Sequence, residues 1–560
     1  MKKTATYLLA SAAFLCSTQF MNAQENAGIS PYSFTHQMDA NVPVILMPAH
    51  DFSQDIKDAE AFEKNGNYPR FARHFDVNQT MLNAGTWTEV GNGDRVWRLD
   101  LKSKGALSTD LFFDNFFLPE GSTMHVYTPD HKQVSGSYTY LDNQGNGLFS
   151  TEFLSGDEQT IEYFEPASVR GQGSLRITQM AHQYRVLPMA DPCEVNIICS
   201  PEGDNWQDEK HGVCRVYVVE GSSAGYCSGT LINNTSRDCT RYILTAFHCG
   251  TGATTANFNS WKFYFNYEAL TCTGGDGGTL TNVMTGCTKK ADANDGGGDT
   301  GSDFLLLQMT STASPSWWPN VYWNGWSNAN TAPPAGSIAI HHPAGTNKKI
   351  SMTTGTGTST SWGGTVANTH WQIHWGGTTN GWGVTEGGSS GSPLFNLNSQ
   401  VIGTLTGGGS YCNTTVAGGQ TQPDAYGKIA YDWTSNGTTS ANQLKPWLDP
   451  GNTGAVSMNG SYSPCTTSGV GIATYEADNA FMVYPNPNNG AFNVSVKLDK
   501  QADVIIRVVN VIGQEVITKL LPNTIEGTFN IDLSAQPTGI YFVQMKAGDK
   551  TIVKKINIVK

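Results

Sequence analysis

The sequence predicts an all-β protein made of several folds, and three observations carry this. Charged residues are only 14% of the chain, whereas 61 glycines and many Thr, Ser and Asn punctuate it, a composition that suits short strands and turns. The apolar runs are short, often alternating, and bounded by Gly, Pro and Asn. At 560 residues the chain also exceeds what one hydrophobic core organises, so roughly three or four domains are expected. The formal net charge of -13 is spread along the chain without a basic stripe, which excludes nucleic acid as a natural partner.

Residues 1–24 read as a secretory signal peptide: Lys2 and Lys3, an apolar run from Tyr7 to Leu15, then small and polar residues ending at Ala23-Gln24. That run is too short to span a bilayer, and no later stretch is long and apolar enough. Residues 25–185 carry no cysteine and repeat short strand-like runs (Val96 to Leu101, Ser108 to Phe117, Thr160 to Phe164) separated by Gly-containing turns. A β-sandwich is expected here. Standing between a signal peptide and a cysteine-rich segment, it reads as a propeptide, with a binding module as the alternative.

Residues 186–460, with Cys465 just beyond, hold all ten cysteines that follow Cys16. In an exported chain an even set confined to one segment reads as disulfides. Zinc is disfavoured because no C-x-x-C pair occurs. Short apolar runs (Val213 to Val219, Tyr242 to Ala246, Phe304 to Met309, Ile338 to Ile340, Val401 to Leu405) lie between Gly-rich loops, which suits an antiparallel barrel. Only Ala441 to Leu448 resembles a helix. Residues 461–479 read as a linker. Residues 480–560 alternate over Phe492 to Leu498, Val504 to Val511 and Ile540 to Met545, as a small β-sandwich without catalytic residue types.

The candidate nucleophile is Ser390, in the glycine-lined turn Val384 to Phe395 (V-T-E-G-G-S-S-G-S-P-L-F). Such a turn displays one hydroxyl beside free backbone N–H groups. A serine needs a base and the base an orienting acid. His248 follows the apolar run Tyr242 to Ala246, and Asp303 opens the run Phe304 to Leu307.

The order His, Asp, Ser, with Thr-Ala-Phe-His-Cys, Ser-Asp-Phe-Leu-Leu-Leu and Gly-Ser-Ser-Gly-Ser-Pro around the three residues, resembles the chymotrypsin-like serine proteases. The resemblance implies a double β-barrel, with Gly388 and Ser390 as the oxyanion hole. Over residues 193–460 the segment is similar to bacterial lysyl endopeptidases, on the block starting at Cys193, Asn233-Asn234-Thr235, Ala339-Ile-His-His-Pro and Trp447-Leu-Asp-Pro. That likeness implies Asp424 as the acid of the specificity pocket, Trp362 as a pocket wall, and Gly407 as room for substrate backbone. Thr406 stands where the family has a pocket-side His. It also implies the pairs Cys193–Cys412, Cys199–Cys272 and Cys227–Cys249, leaving Cys214, Cys239, Cys287 and Cys465 unassigned. Two departures stand out: Ser389 replaces the Asp that captures a freed N-terminus in trypsin-like zymogens, and Val384 replaces trypsin's pocket carboxylate.

Residues 480–560 resemble the sorting domain of type IX secretion, on Tyr484-Pro-Asn-Pro-Asn-Asn-Gly, Gly513-Gln-Glu-Val, Pro537-Thr-Gly-Ile-Tyr and the basic end at Lys560. The expectation is therefore a secreted endopeptidase at the extracellular or outer-membrane surface of a Gram-negative bacterium. It would be a monomer without cofactor or metal, acting on protein or peptide substrates after Lys, with Arg open as a second choice. The alternative is a non-catalytic surface adhesin on a protease fold. Blander readings go to His341-His342-Pro343 as structural, Trp375 and Trp382 as core or pocket wall, Lys348-Lys349 as a solvated turn, and the acidic Asp292 to Asp299 stretch as a solvated loop.

Overall fold

The computed structural model describes residues 30–39, 41–275, 278, 280–412, 419, 422–467, 481–486, 488–510, 514–547 and 550–560. The expected signal peptide and most of the expected linker lie outside these. The chain divides into two compact units, Met1–Cys465 and Thr466–Lys560.

In the first unit, strands dominate. Among residues 30–185, a six-stranded sheet is built around Asp94–Lys102, Glu158–Glu165 and Thr123–Tyr127. Trp97, Leu99, Leu101, Ile161, Tyr163 and Met180 fill a core between it and a second sheet. The helix Ser53–Lys64 is absent from the sequence reading, although Phe52, Ile56 and Ala59 recur at helical spacing.

The second sheet does not stop at the expected boundary. The strand Arg70–Thr80 pairs on one side with Ser174–Gln183 and on the other with the strand Ser223–Ile232, in the register Ser223↔Arg73, Ala224↔Ala72 and Gly225↔Arg70. One twelve-stranded sheet thus runs through both segments. Its core mixes Phe71, Ala72, Phe112 and Ala181 with Val216, Val218, Phe263 and Leu305. Lys262 and Asp110, both fully buried, form an ion pair across this junction. The Lys262 ammonium also donates to the Thr151 carbonyl at 2.7 Å.

A ten-stranded sheet built on Ile338–His341, Lys349–Met352, His370–Ile373, Pro393–Phe395, Gln400–Gly408 and Asp424–Lys428 curls into the second, nearly closed barrel, the strands of residues 213–309 in the twelve-stranded sheet making up the first. Trp371, Trp375, Leu394 and Tyr426 pack within it. The helix expected over Ala441 to Leu448 resolves into two short turns, Ser440–Asn442 and Lys445–Leu448.

The second unit is a five-stranded antiparallel sheet. Its strand Ala491–Asn510 joins two of the expected runs, and the register shifts between Lys497 and Ala502. Irregularities of this kind bend a strand, and Phe492 and Val496 from one half meet Val504 and Val508 from the other in a single core. The strand Glu515–Asp532 was not foreseen.

Candidate active site

The strand Tyr242–Ala246 pairs antiparallel with Phe304–Met309, placing Ala246 opposite Phe304. His248, in the turn just after the first strand, and Asp303, just before the second, therefore meet. The Asp303 carboxylate takes two hydrogen bonds from His248: the backbone N–H to Oδ1 at 2.9 Å, and ring Nδ1 to Oδ2 at 2.7 Å. With Nδ1–H held by a carboxylate, Nε2 is the basic nitrogen. It is buried and has no hydrogen-bond partner among the described residues. Burial pushes the imidazole pKa down, but the Asp303 charge and hydrogen bond, with Asp295 beyond, outweigh it and the net shift is upward.

Ser390 lies on the turn between the second barrel's strands, and its carbonyl accepts the Ser228 N–H at 2.8 Å. Gly391 (φ 78°) sits where a Cβ would lie 2.0 Å from Thr245 Oγ1 and 2.7 Å from Ala246 N. Only glycine allows the Ser390 turn to press against the strand that leads to His248. Gly388 also has positive φ, 101°.

Asp424 is 1% exposed, at the start of its strand. Its Oδ2 accepts from Thr385 Oγ1 and Ser410 Oγ at 2.7 Å each and from Trp375 Nε1 at 2.5 Å, and Oδ1 accepts the Ser410 N–H at 3.1 Å. Burial raises its pKa and these donors oppose the rise. Trp362 stands over Gly407, where a Cβ would come within 3.1 Å of the indole. Thr406 Oγ1 hydrogen-bonds His370 Nε2 at 3.0 Å, and the His370 ring lies 6.4 Å from that of Trp362.

Residues 187–427 match the family model described as lysyl endopeptidase, C-terminal domain. Residues 482–560 match that of the secretion system C-terminal sorting domain. A lysyl endopeptidase of Pseudomonas aeruginosa is 26% identical over 351 residues, 58% of this chain and 71% of that one. The chain is a serine endopeptidase, similar over residues 187–427 to the lysyl endopeptidases. Among solved structures, the thermostable serine protease AL20 from an extremophilic microorganism aligns at 15% identity over 40% of this chain and 92% of its own, with a TM-score of 0.27. The protease Anisep from Arthrobacter nicotinovorans aligns at 16% over 39% and 90%, with a TM-score of 0.28. The sorting domain makes this protease a secreted one.

Four disulfides join Cys193–Cys412, Cys199–Cys272, Cys227–Cys249 and Cys239–Cys465. Cys227–Cys249 ties the residue after His248 to the strand beside the Ser390 turn. Cys214 and Cys287 are free thiols in the first barrel's core, so the even set does not pair completely.

Two side chains beside the site, Asp295 and His370, are given no role of their own by the sequence. Asp295 is buried, not solvated, and its Oδ2 accepts the Asp303 N–H at 2.8 Å while Oδ1 accepts from Gly297 and Gly298. It holds the backbone of the acid, which adopts positive φ (58°). His370 is brought to Thr406 by strand register, and His341, expected to be structural, is fully buried behind Ser389. Lys348, expected in a solvated turn, is fully buried and bridges Glu268 at 3.0 Å to the Lys210 carbonyl. Among the described residues no group of acidic, His or Cys side chains is arranged to hold a metal.

Proposed function

We propose that this serine endopeptidase cuts after basic residues, Lys before Arg, with Ser390 as nucleophile, His248 as general base and Asp303 as its orienting acid. The observation that carries the reading is the double hydrogen bond of Asp303 to His248, which leaves Nε2 free to accept a proton beside the Ser390 turn. Ser390 Oγ attacks the scissile carbonyl while His248 takes its proton and later delivers it to the leaving amine. The N–H groups of Gly388 and Ser390 receive the developing oxyanion.

Asp424 is the acid that answers the substrate's ammonium. The name of the Pseudomonas relative supports Lys, and the four donors around Asp424 oppose the rise that burial gives its pKa, as a substrate ammonium beside it would do further. Trp362 and Gly407 form the pocket's wall and mouth, with Thr406 and His370 beside them. Residues 25–185 act as a propeptide on the domain 186–460, followed by a linker over 461–479. Residues 480–560 deliver the protein to the type IX machinery.

Two experiments test this. Fluorophosphonate should label the processed enzyme once, at Ser390, and the Ser390→Ala variant not at all; an unlabelled wild type overturns the mechanism. Digestion of a denatured protein, with the cut sites read by mass spectrometry, should show Lys at P1, with Arg a minority. Cuts after neutral or acidic residues would end the pocket assignment.

A further inference from the structure

The residue before the nucleophile is a neutral serine, so no charge at position 389 anchors the oxyanion loop through an ion pair. A buried chain of hydrogen bonds stands there instead. His341, at the end of the strand Ile338–His341, places Nδ1 2.8 Å from Ser389 Oγ and Nε2 2.9 Å from Ser351 Oγ. Ser351 Oγ in turn donates to the Val384 carbonyl at 2.9 Å. A carbonyl can only accept, so the Ser351 proton is committed to it and His341 Nε2 carries the hydrogen of the next bond. Nδ1 is then the acceptor of the Ser389 hydroxyl. Ser389 Oγ also accepts the Glu386 N–H at 3.3 Å, which completes its bonding. Burial holds His341 neutral, as this pattern requires.

The turn after His341 reaches the same loop. Ala344, itself at positive φ (49°), donates its N–H to the Gly387 carbonyl at 2.7 Å. Ser228 Oγ donates to the Gly388 carbonyl at 2.9 Å and accepts the His342 N–H at 2.9 Å. A Cβ on Gly388 would lie within 3 Å of Gly345 N, Ala344 N and His342 O. Across a trans peptide the C=O and N–H point in opposite directions. With the Gly387 carbonyl held by Ala344, the Gly388 N–H must point away from this turn.

We propose that His341 is a positioning residue for the oxyanion hole: with Ala344 it fixes the Gly387–Gly388 peptide so that the Gly388 N–H is a ready donor before substrate arrives. The inference rests on Ser390 being the nucleophile. It gives His341 a part in the reaction without contact with substrate.

The test uses the processed enzyme carrying Ser389→Ala, which deletes one oxygen, and Ser351→Ala, one bond further away. Ser389→Ala should lower kcat by at least tenfold, toward the roughly 100- to 1,000-fold that loss of an oxyanion donor costs, with KM within about twofold. A peptide aldehyde, whose adduct places an oxyanion in the hole, should lose affinity by the same factor, while the matching peptide alcohol binds unchanged. Ser351→Ala should move the same quantities less. Unchanged kcat and aldehyde affinity, or equal losses for aldehyde and alcohol, overturn the inference. Failure of fluorophosphonate to label wild type instead overturns the nucleophile assignment, and this inference with it.

Discussion

Replacing Lys262 by Met removes the ammonium from the junction between the N-terminal segment and the first barrel while keeping an unbranched stem. Both partners of the Lys262–Asp110 pair are fully buried. Asp110 would keep only the Thr151 hydroxyl at 2.8 Å and the Leu111 N–H at 2.8 Å. Breaking one side of such a pair costs about 3–5 kcal/mol, whereas replacing both partners with apolar residues is neutral or stabilises by about 1–4 kcal/mol. Lys262→Met should therefore cost about 3–5 kcal/mol, and adding Asp110→Leu should restore most of it. Burial already raises the Asp110 pKa, against the pull of Lys262. Without the ammonium the carboxyl takes up a proton more readily, so the cost should shrink toward acid pH. Urea unfolding of the full chain in a Ser390→Ala background, followed by tryptophan fluorescence, measures this. A single variant costing less than about 1 kcal/mol, or a double variant as unstable as the two singles summed, would refute the reasoning.

Three further outcomes are expected. Because the net shift of His248 is upward and only the neutral imidazole accepts the Ser390 proton, kcat/KM should fall with decreasing pH through a midpoint above 6.5; Asp303→Asn should lower kcat by about 10^4 and shift that limb toward acid. Asp424→Asn leaves a substrate ammonium unpaired in a buried pocket, about 2–5 kcal/mol or roughly 30- to 5,000-fold in kcat/KM for Lys substrates, and a neutral P1 ester hydrolysed equally poorly would mean general damage. Burial raises the Glu386 carboxyl to about 7 from the ordinary 4.5. The folded state then binds that proton more tightly, and stability present below pH 4.5 is lost as pH rises through 7, about 3 kcal/mol from the difference of 7 and 4.5 at 1.36 kcal/mol per unit. Melting of Glu386→Gln at pH 4.5 and 8 should lack this decline, and parallel curves for the two proteins would contradict it.

The blocks around His248, Asp303 and Ser390 were legible because each carries its own local demand: an apolar strand ending in a polar turn, or glycines where a Cβ cannot fit. The strands Ser108–Phe117 and Phe304–Met309 were legible from their apolar runs. What depended on register was not. His370 reaches Thr406 because its strand pairs with Asp424–Lys428, which in turn pairs with Gln400–Gly408. Asp295 looked like one acid among several in a glycine-rich stretch, and only the folded loop shows that it faces the Asp303 backbone. The sheet common to residues 30–185 and the first barrel rests on three paired residues more than 140 positions apart, which no local pattern encodes.

That pairing has a consequence for access. Ser223, Ala224 and Gly225 stand just upstream of Cys227 and Ser228, and Pro69 lies against Gly387, next to the proposed oxyanion donor; a Cβ on Gly387 would be 3.1 Å from it. The ladder this stretch offers is short, and the chain's own N-terminal strand occupies it. Any extended peptide approaching from that side competes for the same N–H and C=O groups at the effective concentration of a tethered rival. The Arg185 side chain, bonded to Glu63 and to the Arg70 carbonyl at 2.6 Å, fastens the end of that rival in place. Access on this side therefore depends on whether the strand Arg70–Thr80 stays paired, and a break in the chain near residue 185 would leave both that ladder and the Arg185–Glu63 pair in place.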